Sequence, residues 1–234
     1  GGAPMVRGVT DDKHLMKRLA TALGVRTPPW AYYAKHGGEH TPPDFAYDAL
    51  IVKPNASSAS WGIALHSDWN EALHAVEALQ TEGHDVIVEQ YIEGVDLAVP
   101  VVGSITPWYL PVIRYAGDEG AIRTYEQKRD LVPSSTRHEL VDDATLVDAI
   151  MRDTQRIVDD LWPFDHGRLE FRFDTNTQQI YFIEMNVNCN LWSQKTIASV
   201  AAQIGVSHGE LIETIVCHSL CRQGVIARCA ALAA

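Results

Sequence analysis

Apolar positions along the chain fall into helical stripes and short β-rich runs, separated by Gly, Pro and small polar residues. Asp11 or Asp12 can cap a first helix carrying Leu15, Leu19 and Leu23 on one face; Gly24 stops it and Pro28-Pro29 forbids its resumption. A polar loop with Gly37-Gly38 and Pro42-Pro43 follows, then an apolar strand over 49–54 closed by proline. Residues 55–62 are rich in Ser and Ala and predict a flexible loop. Ala72, Leu73, Val76 and Leu79 keep helical spacing over 68–82, and Gly83 ends that helix. Strands over 86–91 and 97–102 flank the Glu93-Gly94 turn, and a third is expected over 108–115. An amphipathic helix over 144–162 offers Leu146, Ile150, Ile157 and Leu161 to a core. Strands over 168–173 and 180–186 enclose a polar turn, and apolar helices run from about 196 onward. The pattern predicts an α+β fold, with helices packed on antiparallel sheet and no internal repeat.

Composition narrows the function classes. The 234 residues are 46% hydrophobic and carry a net charge of -11, which suits a globular chain large enough for a sizeable core. No apolar run is long enough to span a membrane, and no basic stripe is available to neutralise phosphates, so neither membrane nor nucleic acid is expected as a partner. Gly1 to Met5 lack the order of a secretion signal, and a first methionine at Met5 suggests a fragment or a processed chain. Cys189, Cys217, Cys221 and Cys229 form no CxxC pair, so buried free thiols in a reducing cytoplasm are expected.

The candidate chemistry lies in two strands. Arg168 and Glu170 are two apart, as are Glu184 and Asn186, so each pair leaves one face of its strand. A five-residue hairpin loop over 175–179 would set Glu170 opposite Glu184. Opposed carboxylates call for a cation between them, and a hard divalent ion such as magnesium fits, although a solvated hairpin face shows the same alternation. Lys53, at a strand end before a loop of small residues, is placed to hold a phosphate; a strand-end lysine in water looks identical. Lys13 and Lys128 carry the same two readings, and Glu89, Tyr91 and Ile92 can equally be a plain strand end.

Taken in order, these pieces resemble the ATP-grasp superfamily, in its D-alanine–D-alanine ligase-like branch. Gly2-Ala3-Pro4, Asp12-Lys13 with Gly24 to Pro28, Ile51-Val52-Lys53-Pro54 with Ser58 to Ile63, and Val88 to Asp96 follow that family's motifs. So do Gly167 to Asp174, Ile183 to Asn188, and Ala201 to Ile212. The resemblance implies ATP held between two α+β subdomains, at 11–103 and 104–234, with 1–10 ending a preceding N-terminal domain that is otherwise missing.

By the same resemblance, Lys13 and Lys53 contact the ATP phosphates under a loop holding Ser58, Ser60 and Gly62. Glu89 and Gln90 lie near the adenine amino group, Tyr91 and Ile92 follow the base, and Asp96 takes the ribose. Lys128 and Arg168 face the transferred phosphate, while Glu170, Glu184 and Asn186 hold magnesium, with manganese left open. The implied reaction joins a small amino-acid or peptide-like carboxylate to an amine through an acyl phosphate, releasing ADP and phosphate. Asn190 stands where the family has glycine, so Asn190, Trp192 and Lys195 are expected to shape the second substrate's pocket. A nucleotide-binding module without ligase activity and a small-molecule kinase are the alternatives, and a homodimer is left open.

Overall fold

The computed structural model describes residues 2–57, 61–103, 106–117 and 137–227. Its first sheet holds β1 (Trp30–Tyr33), β2 (Leu50–Pro54), β3 (Ala64–His66) and β4 (Val86–Gln90), in the order β1-β4-β2-β3 with antiparallel pairs throughout. Leu50, Val52, Val86 and Val88 pack against Ala72, Val76 and Leu79 of α3 (Trp69–Thr81). Asp68 starts that helix by accepting hydrogen bonds from the Asn70 and Glu71 N–H groups.

The second sheet contains β5 (Val95–Val102), β6 (Trp108–Tyr109), β7 (Ile113–Ala116), β8 (Arg137–Leu140), β9 (His166–Asp174) and β10 (Gln179–Asn186). Its order is β10-β9-β5-β7-β8, with β6 paired to β5. Leu97, Val99, Leu169, Phe171 and Phe182 point to one face, which shares its core with α1 (Pro4–Asp11), α2 (Lys13–Ala22) and α4 (Ala144–Leu161). On the other face α5 (Thr196–Gln203) and α6 (His208–Arg222) cover Ala98, Ile113 and Tyr115. The β9–β10 part of that face looks across a cleft at β2 and β4. No helix among the described residues is long and apolar enough to cross a membrane.

Several elements differ from expectation. The buried stripe of α2 is Lys13, Met16, Lys17 and Ala20, whereas Leu15 is exposed; its two charged inward positions meet the Ser57 carbonyl and the Glu89 carboxylate. The strand expected over 108–115 is two, β6 and β7, broken where Pro111 has no N–H to offer. The expected helices and the remaining expected strands are present, joined by α1, β1, β3 and β8, which are too short for a clear period. β5 belongs to the second sheet, so the chain changes sheets between Gln90 and Val95 rather than at 103–104. Gly94 makes that passage with φ 147°, where a Cβ would lie 2.0 Å from the Phe173 carbonyl oxygen. Cys189, Cys217 and Cys221 are free as expected but half-buried, and Cys229 lies outside the described residues.

Candidate active site

The cleft between the sheets encloses about 770 Å³, its open mouth included. Pro28, Ile51, Ile63 and Ile183 give it apolar walls, and Lys53, Glu89, Gln90, Asp96, Arg172 and Glu184 supply charged or polar groups. Such a mixture suits a ligand with a flat apolar part and a charged part.

On the first wall, Glu89 of β4 is paired with Lys53 of β2 and, at 2.7 Å, with Lys17 of α2. All three are buried. Burial alone would raise the Glu89 carboxyl, but the two ammonium groups hold it down at about 2. Burial pulls Lys17 down to about 8, against the raising effect of Glu89. Lys17 also donates to Thr27 Oγ1 at 2.7 Å and lies 5.6 Å from the centre of the Trp30 ring. Lys13, at the start of α2, donates to the Ser57 carbonyl at 2.9 Å and so ties the helix to the loop after β2. Gly62 closes that loop with φ 71°, and a Cβ there would come within 2.8 Å of Pro54. Ser58, Ser60 and Lys128 lie outside the described residues.

At the passage between sheets, Arg172 of β9 gathers the segment after β4. Its Nε donates to the Ile92 carbonyl at 2.9 Å, Nη1 to Asp96 at 2.8 Å and Nη2 to the Tyr91 hydroxyl at 3.2 Å. The Gln90 and Tyr91 N–H groups are already bonded to the Pro29 and Ala49 carbonyls. Asp96 is thus part of an ion pair as well as of the cleft wall.

On the second wall, Glu170 faces Glu184 and Arg168 faces Asn186, as expected, but by a different route. The hairpin starts with Asp174 opposite Gln179, leaving four residues in its loop, a register that carried onward would oppose Glu170 to Ile183. A β-bulge between Phe182 and Glu184 shifts the register by one. Before it Phe182 points into the core; after it Met185 and Val187 do, and Glu184 and Asn186 turn to the cleft. Arg168 donates through Nε to Glu170 at 2.9 Å, and Asn186 donates to Glu184 at 3.1 Å. Glu184 also acts across the cleft on Lys17, helping to keep it charged.

Among the described residues no group of three His, Cys, Asp or Glu side chains forms a metal cage. The candidate metal set is two carboxylates plus the Asn186 amide, an all-oxygen set of the kind magnesium accepts when a ligand's phosphates complete its shell. Two carboxylates directly opposed on a ladder favour a cation beside them.

Asn190, Trp192 and Lys195 lie on the segment that leads from β10 into α5, outside the cleft lining. Asn190 accepts from the Trp192 N–H at 2.9 Å, Lys195 N–H donates to the Trp192 carbonyl at 2.8 Å, and the Trp192 ring is exposed. Cys189 beside them donates to the Asn186 carbonyl, and burial pushes its thiol up to about 11. Arg172 in the cleft wall and Lys17 buried behind Glu89 were not expected at the site. Lys17 has a signal, since it stands four residues after Lys13 and therefore on the same helix face; Arg172 continues the two-residue alternation of Arg168 and Glu170.

Residues 19–217 match the family described as D-ala D-ala ligase C-terminus. A D-alanine–D-alanine ligase of Bordetella petrii is 26% identical over 227 residues, which cover 95% of this chain and 68% of that protein. One from Pediococcus pentosaceus is 26% identical, over 92% of this chain and 60% of its own length. Among solved structures, the D-alanine–D-alanine ligase of Bacillus anthracis complexed with ATP superposes with a TM-score of 0.76 at 19% identity, covering 94% of this chain and 69% of that one. The Coxiella burnetii ligase gives 0.77 at 14% identity, covering 94% and 60%. The chain therefore spans about two thirds of the length of the relatives it resembles.

Proposed function

Because the chain belongs to the D-ala D-ala ligase C-terminus family, we infer that it is the ATP-handling part of a carboxylate–amine ligase. The observation that carries this reading is one cleft with the buried Lys53–Glu89 pair, backed by Lys17, on one wall and opposed carboxylates on the other. The two sheets are read as two subdomains enclosing the nucleotide, with the passage at 91–94 between them.

The apolar walls take the base. With the Gln90 and Tyr91 N–H groups engaged, the Ile92 N–H is the next backbone donor along the segment. The second carboxylate oxygen of Asp96 takes a ribose hydroxyl, its first being held by Arg172. Glu89 does not serve the adenine; it holds Lys53 and Lys17 in place under the phosphates. Lys13 and Lys53 offset phosphate charge, and Ser58, Ser60 and Gly62 cover it, with Lys128 joining them.

Glu170, Glu184 and Asn186 hold magnesium, which when bound neutralises phosphate oxygens and aligns them for transfer. Arg168 faces the charge that develops on the transferred phosphoryl group and then on the oxyanion of the tetrahedral intermediate. A substrate carboxylate attacks the γ-phosphate of ATP, giving an acyl phosphate and ADP. An amine then attacks the acyl carbon, phosphate leaves, and an amide results. Asn190, Trp192 and Lys195 select the second substrate, an amino-acid-like molecule whose carboxylate Lys195 attracts.

The test is ADP release measured with carboxylates and amines supplied singly and together. Release that needs both supports the ligase; release of AMP in place of ADP overturns it.

A further inference from the structure

A buried group of hydroxyls beside Arg168 has no part in the chemistry above. Thr196, the first residue of α5, is enclosed and lies within hydrogen-bond reach of three side chains. Arg168 Nη1 is 3.4 Å from its Oγ1, the Tyr115 hydroxyl 3.3 Å, and His138 Nε2 3.3 Å. His138 in turn meets the Ser199 hydroxyl through Nδ1 at 3.0 Å, and its ring lies edge-on to Tyr115.

A hydroxyl has one proton and two lone pairs, and a guanidinium can only donate. Arg168 therefore takes one lone pair of Thr196. The other lone pair and the proton are shared between Tyr115 and His138, in one direction or the other, so the hydroxyl is saturated either way. Glu170 holds Nε and Nη2 of the same guanidinium, which is thus pinned from two sides. One anchor comes from its own strand and the other from a helix.

We propose that Thr196, backed by His138 and Tyr115, is a positioning residue that fixes the Arg168 guanidinium on the cleft face of the second sheet. The proposal rests on the ligase reading for its consequence in turnover, but not for the geometry itself. Glu170 alone leaves the guanidinium free to swing about the salt bridge; the helix-borne hydroxyl removes that freedom. Orientation held in advance lets a charged group meet a transition state without reorganising. The link also joins α5, which begins at the segment carrying Trp192 and Lys195, to the strand that carries Glu170. The second substrate's segment and the phosphate-facing arginine thus keep one spacing.

The experiment compares Thr196→Val, which keeps the shape and loses the hydroxyl, with Thr196→Ser, which keeps the hydroxyl. In nitrogen-15-labelled protein, the Arg168 Nε–H signal, assigned by its loss in Arg168→Lys, reports how well the guanidinium is held. Its exchange with water is expected to quicken about tenfold or more in the valine variant and to stay near the wild-type rate in the serine variant. Turnover of ATP with both substrates should fall about ten- to a hundredfold for valine, with the Michaelis constant for ATP within about twofold, and should recover with serine. Unchanged exchange in the valine variant, or equal losses with valine and serine, overturns the proposal. Should the valine variant fail to fold, His138→Phe keeps the ring against Tyr115 and removes the nitrogen bonds; wild-type exchange in that variant overturns the proposal as well. A wild-type protein that releases no ADP overturns the ligase reading, and arginine exchange then decides the clamp by itself.

Discussion

Glu89 stands between two buried ammonium groups, and its removal leaves Lys17 and Lys53 enclosed together without the carboxylate that pairs with both. Glu89→Gln is expected to destabilise the fold by about 3–5 kcal/mol, the usual consequence of breaking a buried ion pair from one side. The acid response gives a second signature. The carboxyl titrates at about 2 in the fold against an ordinary 4.5, so between these values the unfolded chain binds more protons. Wild-type stability should therefore fall as pH drops from 4.5 towards 2, and the glutamine variant should show a shallower decline. Denaturant titrations at pH 7 and across that window decide it; equal midpoints for the two proteins at neutral pH would remove Glu89 from its bridging role. Lys195 is a residue of the opposite kind, placed at a helix start beside an exposed tryptophan. Lys195→Ala should raise the Michaelis constant for the second substrate about fivefold, the worth of one partly exposed ion pair, while the value for ATP holds. Equal kinetics for both substrates would exclude Lys195 from the pocket.

A single extra residue in β10 decides which side chains the cleft receives. Were Ile183 paired without the bulge, it would oppose Glu170 and send Glu184 and Asn186 into the core face; deleting Ile183 instead removes the extra residue and leaves Glu184 opposite Glu170 in an unbroken register. Burying a carboxylate there without a partner costs a large share of a total stability of about 5–15 kcal/mol. The deletion avoids that burial, since Phe182 and Met185 are then two apart, and is expected to unfold cooperatively with Glu184 and Asn186 still on the cleft face. A deletion variant that loses cooperative unfolding in thermal melts would show that Ile183 is not the extra residue that the bulge absorbs. The sequence contains this slip of phase: Phe182 and Met185, both apolar, are three apart where strict alternation needs an even number. The polar pairs on β9 and β10 were legible because each sits two apart within a strand. The route to their pairing was not, since a five-residue loop and a four-residue loop with a bulge give the same opposition of Glu170 and Glu184. Elements with a sustained period, α3 and α4, were likewise readable, and β1, β3 and β8 were not. The buried face of α2 was legible in part: Leu19 and Leu23 pack on the core, but Leu15 is exposed, and Lys13 and Lys17 turn inward to the Ser57 carbonyl and Glu89, which apolar periodicity does not report.

At the scale of the molecule, the cleft has no single owner. Its wall of Lys53, Glu89 and Gln90 belongs to the sheet of β1 to β4, its carboxylate wall to the sheet of β5 to β10, and the chain passes between them at 91–94. A nucleotide seated there touches both walls, so its binding free energy should appear as stability of both sheets. At a hundred times its dissociation constant a ligand contributes about 2.7 kcal/mol, which for a chain of this size is a rise of about 5–10 °C in Tm. The part of that rise requiring magnesium should vanish in Glu184→Gln, because the amide has the same size but lacks the charge that holds a divalent ion. The fold itself should survive, as Glu184 is only half-buried and its neighbour Asn186 can still bond to the new side chain. Thermal melts with ATP alone and with Mg-ATP, on wild type and variant, separate the two contributions without any reference to turnover. An equal magnesium-dependent shift in both proteins would mean that the β9–β10 pair does not hold the metal. Hydrogen exchange completes the test: Mg-ATP should slow exchange in β2 and β4 as well as in β9 and β10. Protection confined to one sheet would place the nucleotide outside the shared cleft.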